Sequence, residues 1–373
     1  MLTCLLAAVA LALMPPLPDP ATNPSSASLY IGTYTGAGQG LGVYYSKLDT
    51  MTGVLSEPEV AAKIDNASFL AVHPTLPVLY AVSENYGAGG GQLHAFAISP
   101  DSTLTLLAML STKDAGPCYV NASEHAAAVA HYGAGSVASF KLDAKGVPVA
   151  LASLVKHEGS SVNKSRQKEP HAHSIVFAPG GDFALAADLG TDEVIIYEVD
   201  SSTGASSGVL KRTGQLKMEP GSGPRHIAFA PAGDVVFVVN ELSNTVVAST
   251  WKHGSLSQIA SCSTLPAGFT GESTTAEIAV HPNGNFVYAS NRGHDSIAVM
   301  SFDGVELKLI ETTPTQGQKP RHFAIDPSGQ FLIAANQQTG NLVVFRIDQT
   351  TGGLTPTGST VKLPAPVCVR FVR

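Results

Sequence analysis

Charge is scarce in this chain. Asp, Glu, Lys and Arg make up only 14% of its 373 residues, and there is a single tryptophan. A coiled coil or a disordered tail needs far more charge, so both are excluded. The four cysteines include no CxxC and no Cys/His zinc spacing. Cys4 lies in a leading apolar segment, while Cys118, Cys262 and Cys368 are scattered through strand-like sequence, which reads as buried thiols rather than a disulfide framework. No apolar run reaches the roughly 20 residues needed to cross a bilayer as a helix. The net charge of −7 offers no global attraction for nucleic acid or an anionic membrane.

The chain does hold 36 glycines and 24 prolines, spread between short runs rich in Val, Ile, Phe and Tyr. That is the composition of many strands and turns. Only the beginning differs. Residues 5–14 form an unbroken apolar run, and residues 15–28 are rich in Pro and Ser with one charge, Asp19. Residues 1–28 are therefore expected to be an export signal and spacer, and the protein periplasmic or secreted. The missing Lys or Arg ahead of the apolar run keeps a cytoplasmic location as the alternative.

Self-similarity decides the fold. An apolar strand, a Pro/Gly turn, a second strand rich in Val, Phe and Tyr, and a polar residue recur in EIAVHPNGNFVYASNRG from Glu277, HIAFAPAGDVVFVVNEL from His226, HFAIDPSGQFLIAANQQ from His322 and HSIVFAPGGDFALAADL from His173. FLAVHPTLPVLYAVSEN from Phe69 is a fifth copy, YVNASEHAAAVAHYG from Tyr119 a degenerate sixth, and LYIGTYTG from Leu29 a seventh second strand. Equivalent second-strand positions are Tyr30, Tyr80, Ala128, Leu185, Phe237, Tyr288 and Ile333, at intervals of 45 to 57 residues. Such a period matches one four-stranded propeller blade. The first copy lacks a first strand, and PAPVCVRFV from Pro364 is a first strand without a remainder. The expected fold is thus an all-β, seven-bladed propeller over residues 29–373, closed by residues 367–372 as the innermost strand of the first blade.

The repeat is also a map of function. Residues just before each first strand and just after each second strand converge on one face of the ring, while the Pro/Gly turns face the other way. His73 and His281 fall in such turns and read as structural. Around the expected rim stand Ser68, Cys118, His173, Arg225, Ala276, Arg321 and Val367, with His171, His226, Glu277 and His322 adjacent. Second-strand ends add Glu84, Asn85, His131, Asp188, Asn240, Glu241, Asn291 and Arg292. In a chain with 22 Lys plus Arg, three arginines aimed at one rim point to an anionic ligand. Guanidinium groups bind phosphate or carboxylate bidentately and stabilise a developing oxyanion, and a neutral histidine can take a proton from water.

The segments SSVNKSRQKEPHAHSIVF from Ser160, GSGPRHIAF from Gly221, VVNELSNTV from Val238, AEIAVHPNGNFVYASNRGHDSIAV from Ala276 and KPRHFAIDPSGQFL from Lys319 resemble the signature segments of propeller 6-phosphogluconolactonases, in the lactonase family. Fungal carboxymuconate cyclases share the pattern. The similarity spans essentially residues 29–373. It implies that the PHAH histidines, the Arg of PRH, the Glu of NEL and the Arg of NRGH are functional, at His171, His173, Arg225, Glu241 and Arg292. The blade beginning at Cys118 departs from the pattern, with a shortened turn and His131 where Asn is common.

The expected activity is hydrolysis of an anionic sugar lactone by water. His171 or His173 is the base, Glu241 the accompanying carboxylate, and Arg225, Arg292 and Arg321 bind the substrate. Neither a metal nor a cofactor is expected: the two PHAH histidines have no third ligand at diagnostic spacing. The partner is a small-molecule lactone and the expected state a monomer. Three alternatives remain open at this level. Arg225 and Arg321 recur at one repeat position and could tie blades together. The same groups could run lactone formation as a cycloisomerase. A propeller can also be a binding module without chemistry.

Overall fold

The computed structural model describes residues 25–36, 38–87, 89–200 and 207–372. The expected export segment and Cys4 lie outside the described residues, as does most of the spacer; the first strand, Ser26–Thr33, begins inside it. Among the described residues, twenty-eight strands form seven four-stranded antiparallel sheets. Blades 2 to 7 occupy residues 69–111, 117–156, 172–217, 224–263, 274–314 and 320–362, each in sequential strand order from the channel outward. Blade 1 combines residues 26–63 with the C-terminal strand Pro366–Phe371 as its innermost member. Leu29 faces Phe371, Tyr30 faces Arg370 and Ile31 faces Val369, so the ring closes as the repeat count requires.

The burial of each strand follows from its radial position. A second strand lies between neighbouring blades on both faces and must be apolar throughout; in Val78–Ser83 all six residues are buried. Outermost strands have a solvent face, and Leu210–Lys217, with sequence LKRTGQLK, is accordingly mostly exposed. Three tyrosines at one repeat position link blades to their neighbours. Tyr30 Oη donates to the Ser102 carbonyl at 2.7 Å, Tyr80 to Gly146 at 2.5 Å and Tyr288 to Gly352 at 2.8 Å. Each acceptor sits in the tight turn between the third and fourth strands of the next blade. Gly146 and Gly352 both take φ of +74° there, a conformation open to glycine at little cost. The phenol satisfies a turn carbonyl and buries its ring in the blade interface, which is how a tyrosine can be wholly buried.

One irregularity decides what reaches the channel. Where the first strand of a blade meets its second strand, the register slips between Pro117 and Tyr119, Ala172 and Ser174, Pro224 and His226, Thr275 and Ile278, and Pro320 and His322. The residues left over are Cys118, His173, Arg225, Ala276 with Glu277, and Arg321. A bulge adds one unpaired residue and re-aims its side chain. Six blades carry such a slip, the one in blade 1 skipping Val367. The Cys118 and Cys368 thiols are buried, as expected, whereas Cys262 is partly exposed on the outer strand Leu256–Ser263; all three are free.

Candidate active site

The bulges build the channel in two layers. In the upper layer the residue they present in blade 5 is Arg225, a guanidinium only 1% exposed. Burying that charge requires partners. Its Nε donates to Glu241 Oε2 at 3.0 Å, and its Nη1 to the Ala276 carbonyl at 2.6 Å and His226 Nε2 at 3.0 Å. Glu241, at the end of the second strand of the same blade, also receives Arg292 Nη2 at 3.1 Å and Arg166 Nη2 at 2.9 Å. Three guanidinium groups thus converge on one buried carboxylate. Burial pulls the Glu241 carboxyl upward, but Arg292, Arg225 and Arg166 outweigh it and hold it at about 2. Burial, together with Arg292 and Arg321, brings Arg225 down to about 9.

Arg166 was not singled out by the repeat, because it lies in the segment between blades 3 and 4, which has no strand. That segment is organised by side chains. Asn163 Oδ1 accepts from the Ser165 and Arg166 amides, and Gln167 Nε2 donates to the Leu189 carbonyl and to Asp192. Asp192 also gathers Ser161 Oγ and the Gly221 and Gly223 amides, joining the loop that carries Arg166 to the one that leads into Arg225. Arg166 Nη2 reaches the Tyr132 hydroxyl at 3.1 Å as well. The clue in the sequence was its place five residues ahead of His171, in the SSVNKSRQKEPHAHSIVF segment.

The two PHAH histidines have different surroundings. His171 precedes the strand Ala172–Phe177, is partly exposed and stacks on the Tyr132 ring, centroids 4.4 Å apart. Its Nδ1 lies 2.8 Å from the Tyr132 carbonyl, which can only accept, so Nδ1 carries a proton and in the neutral imidazole the lone pair falls on Nε2. His173 is buried, with Nε2 4.0 Å from Glu241 Oε2 and Nδ1 3.7 Å from Cys118 Sγ. Burial, reinforced by Arg225, His226 and Arg321, drives its pKa well below the ordinary imidazole value and keeps it neutral.

Arg321 has a different standing from the other guanidinium groups. Among the described residues no ion pair engages it. It lies over the Tyr34 ring, 5.4 Å from the centroid. Burial opposes its charge, but Tyr34, Glu84 and Glu241 raise its pKa. Arg292 keeps one buried donor, Nε, without a partner. On the channel wall nearest Arg321, Glu84 accepts from Tyr34 Oη at 3.0 Å and Tyr86 Oη at 3.1 Å.

In the lower layer Glu277 Oε2 meets His226 Nδ1 at 3.1 Å and His322 Nε2 at 2.9 Å. Burial and Arg225 push His226 down to about 3, whereas Glu277 outweighs burial to raise His322. Glu277 is itself held well below the carboxylate range, burial being overridden by the two histidines. The layer is closed by Phe69 and Tyr119, stacked at 3.9 Å. No group of three metal-ligating side chains is assembled among the described residues.

The structure therefore brings His171, His173, Arg225, Glu241, Arg292 and Arg321 to one channel mouth. It turns several other expected rim residues aside. Asp188 is buried and takes His157 Nδ1 at 2.6 Å with the His171, Gly190 and Thr191 amides. Asn291 is spent on Thr264 and Ser296, Asn240 on Thr245, and His131 on Ser136. Each of these fastens a rim loop. His73 and His281 hold lower-face turns, accepting the Leu76 and Asn283 amides at Nδ1. Tyr34 and Tyr132 join the site at the repeat position of Glu241 and Arg292, four residues after Tyr30 and Ala128, and Tyr86 and Arg166 join it from loops that the repeat does not mark.

Comparison with known proteins gives a consistent picture. The family model described as "Lactonase, 7-bladed beta-propeller" matches residues 28–371. The 6-phosphogluconolactonase of Bacillus subtilis is 38% identical over 350 residues, covering 92% of this chain and 97% of the relative. That of Formosa agariphila is 33% identical, covering 87% and 94%. Among solved structures, the periplasmic gluconolactonase of Pseudomonas aeruginosa superposes with a TM-score of 0.87 at 29% identity, over 94% of this chain and 99% of that one.

Proposed function

We propose that this chain, which belongs to the lactonase family of seven-bladed β-propellers, hydrolyses an anionic sugar lactone at the upper mouth of its channel. The observation that carries the chemistry is the placement of His171: with Nδ1–H committed to the Tyr132 carbonyl, the neutral ring offers its lone pair at Nε2 beside a cluster of guanidinium groups. His171 takes a proton from water as its oxygen adds to the lactone carbonyl. The negative charge that develops on the carbonyl oxygen is met by the part-exposed guanidinium groups of Arg166 and Arg292, both fixed in place by Glu241. As the ring C–O bond breaks, the proton held by His171 passes to the departing ring oxygen. Water and lactone thereby become a hydroxy acid, and the imidazole is regenerated.

The roles of the arginines divide by their commitments. Arg225 is consumed inside the protein by Glu241, His226 and Ala276, which suits it to position the cluster. Arg321 has no such commitment and is suited to receive the anionic group of the substrate. Glu241, held at about 2, acts as the anchor of the cluster, because a carboxyl so acidic is a poor proton acceptor near neutrality. The names of the relatives support sugar lactones as the substrate class.

The test is a pH-stat screen of the chain lacking residues 1–26 against aldonolactones with and without a 6-phosphate, and against carboxymuconate. Acid release from an aldonolactone is the expected result. A silent screen, or turnover of carboxymuconate alone, contradicts this reading.

A further inference from the structure

Glu241 has a counterpart across the channel. Glu84, the residue after the second strand Val78–Ser83 of blade 2, is 9% exposed, and its charge acts on Arg321 of blade 7 and on the buried Cys118 of blade 3. It therefore faces the same upper layer as Arg225 and His173. Yet the two carboxylates are held differently. Glu241 is bound by three guanidinium groups, whereas among the described residues Glu84 has no ion pair and is held only by the hydroxyls of Tyr34 and Tyr86.

A carboxylate has about four acceptor positions, two on each oxygen. Each phenol takes one, from opposite oxygens, so the group is fixed in orientation and keeps acceptor capacity on both. The groups that meet such a carboxylate best are neutral donors, because a second anion placed against it would be repelled. Arg321, beside it over Tyr34, has five N–H donors, enough to hold the substrate's anionic group on one edge and to donate to the oxygen of a neighbouring hydroxyl on the other. Carboxylate, phenol and guanidinium together match a hydroxyl group as donor and acceptor at once.

We propose that Glu84, framed by Tyr34, Tyr86 and Arg321, is a subsite for the hydroxyl groups of the ligand's carbon chain, so that the channel selects a polyhydroxylated lactone and rejects a planar dicarboxylic one. The inference rests on the lactonase reading for the identity of the ligand but makes a separate claim about recognition. It assigns Glu84 no part in proton transfer.

The experiment is calorimetric titration of the intact chain with D-gluconate and with hexanoate, which share a carboxylate and a six-carbon chain but differ in the hydroxyls. Glu84→Gln is expected to lower the gluconate-over-hexanoate preference by about ten-fold or more, the loss of a charge-assisted acceptor. Tyr86→Phe, at a position 57% exposed and so safe for folding, is expected to lower the same preference by about three-fold by loosening Glu84. An unchanged preference in the folded variants, or a wild-type protein that does not prefer gluconate, overturns the subsite. A Glu84-dependent preference for gluconate in a protein silent in the hydrolysis screen would leave the subsite standing and remove the lactonase reading. The reverse result would do the opposite.

Discussion

Arg225 and Glu241 form a buried ion pair, Nε to Oε2 at 3.0 Å, in which the carboxylate is shared with two further arginines and the guanidinium with a histidine and a backbone carbonyl. A pair so enclosed is costly to break from one side, since the remaining charge stays buried. Glu241→Gln leaves Arg225 and Arg292 without an anion and is expected to destabilise the fold by about 3–5 kcal/mol. Arg166→Ala, at a side chain 36% exposed, should cost a fraction of that. Urea unfolding of the two variants makes the comparison, and equal small effects would show that the cluster does not need its anchor.

The same carboxylate sets an acid limit. Its folded value, about 2, lies below its ordinary 4.5 because the arginines outweigh burial, so it contributes stability that is fully present above pH 4.5 and lost as the pH falls toward 2. Glu277, held down by His322 and His226 against burial, acts in the same direction. Urea midpoints measured from pH 6 to 2.5 should fall steeply below 4.5. Glu241→Gln should start lower and fall less.

The uncommitted and committed arginines should respond differently to loss of the planar fork. Arg321→Lys is expected to raise KM for an anionic lactone by about ten-fold or more with little change in thermal midpoint. Arg225→Lys gives up its bond to His226 or Ala276 and should lose about 2–3 kcal/mol of stability. Kinetics and thermal unfolding on both proteins check this, and the opposite pattern would exchange the two roles.

Closure by the last strand has its own consequence. Removing residues 366–373 exposes the inner edge of blade 1, where Leu29, Tyr30 and Ile31 pair with Phe371, Arg370 and Val369. An unpaired edge recruits other chains, so the truncated protein should aggregate in light scattering. A soluble, monomeric truncation would show that the ring is held shut by other contacts.

The ring was legible because it is written in periodicity: Tyr30, Tyr80 and Tyr288 recur, and each proved to hold the turn of the next blade. The candidate site was legible where it uses repeat positions, as with Arg225, Glu241 and Arg321. Tyr34 and Tyr132 stand at the same repeat position as Glu241 and Arg292, four residues after Tyr30 and Ala128, but a tyrosine at the end of an apolar strand reads as core rather than as site. Arg166 and Tyr86 were not legible, because loop residues carry no period and reach the mouth only through local hydrogen bonds such as those of Asn163 and Asp192. The PHAH pair shows a subtler limit. Strict alternation puts residues two apart on one face, but the bulge at His173 breaks that rule, leaving His173 buried and His171 at the rim. Asp188 and Asn291 sit at repeat positions yet fasten loops, because a repeat fixes where a residue stands and not what it bonds.

The measurement that bears most directly on the chemistry is the turnover rate of His171→Ala and His173→Ala on whichever aldonolactone the wild type hydrolyses, followed by pH-stat with circular dichroism to confirm folding. His171→Ala should lose at least about two decades in kcat, because it removes the lone pair that accepts the proton. His173→Ala should retain most of its kcat and change mainly KM, since its imidazole is neutral, buried and packed beneath the arginines. A folded His171→Ala variant with wild-type kcat, or a loss confined to His173→Ala, would contradict the assignment of the base.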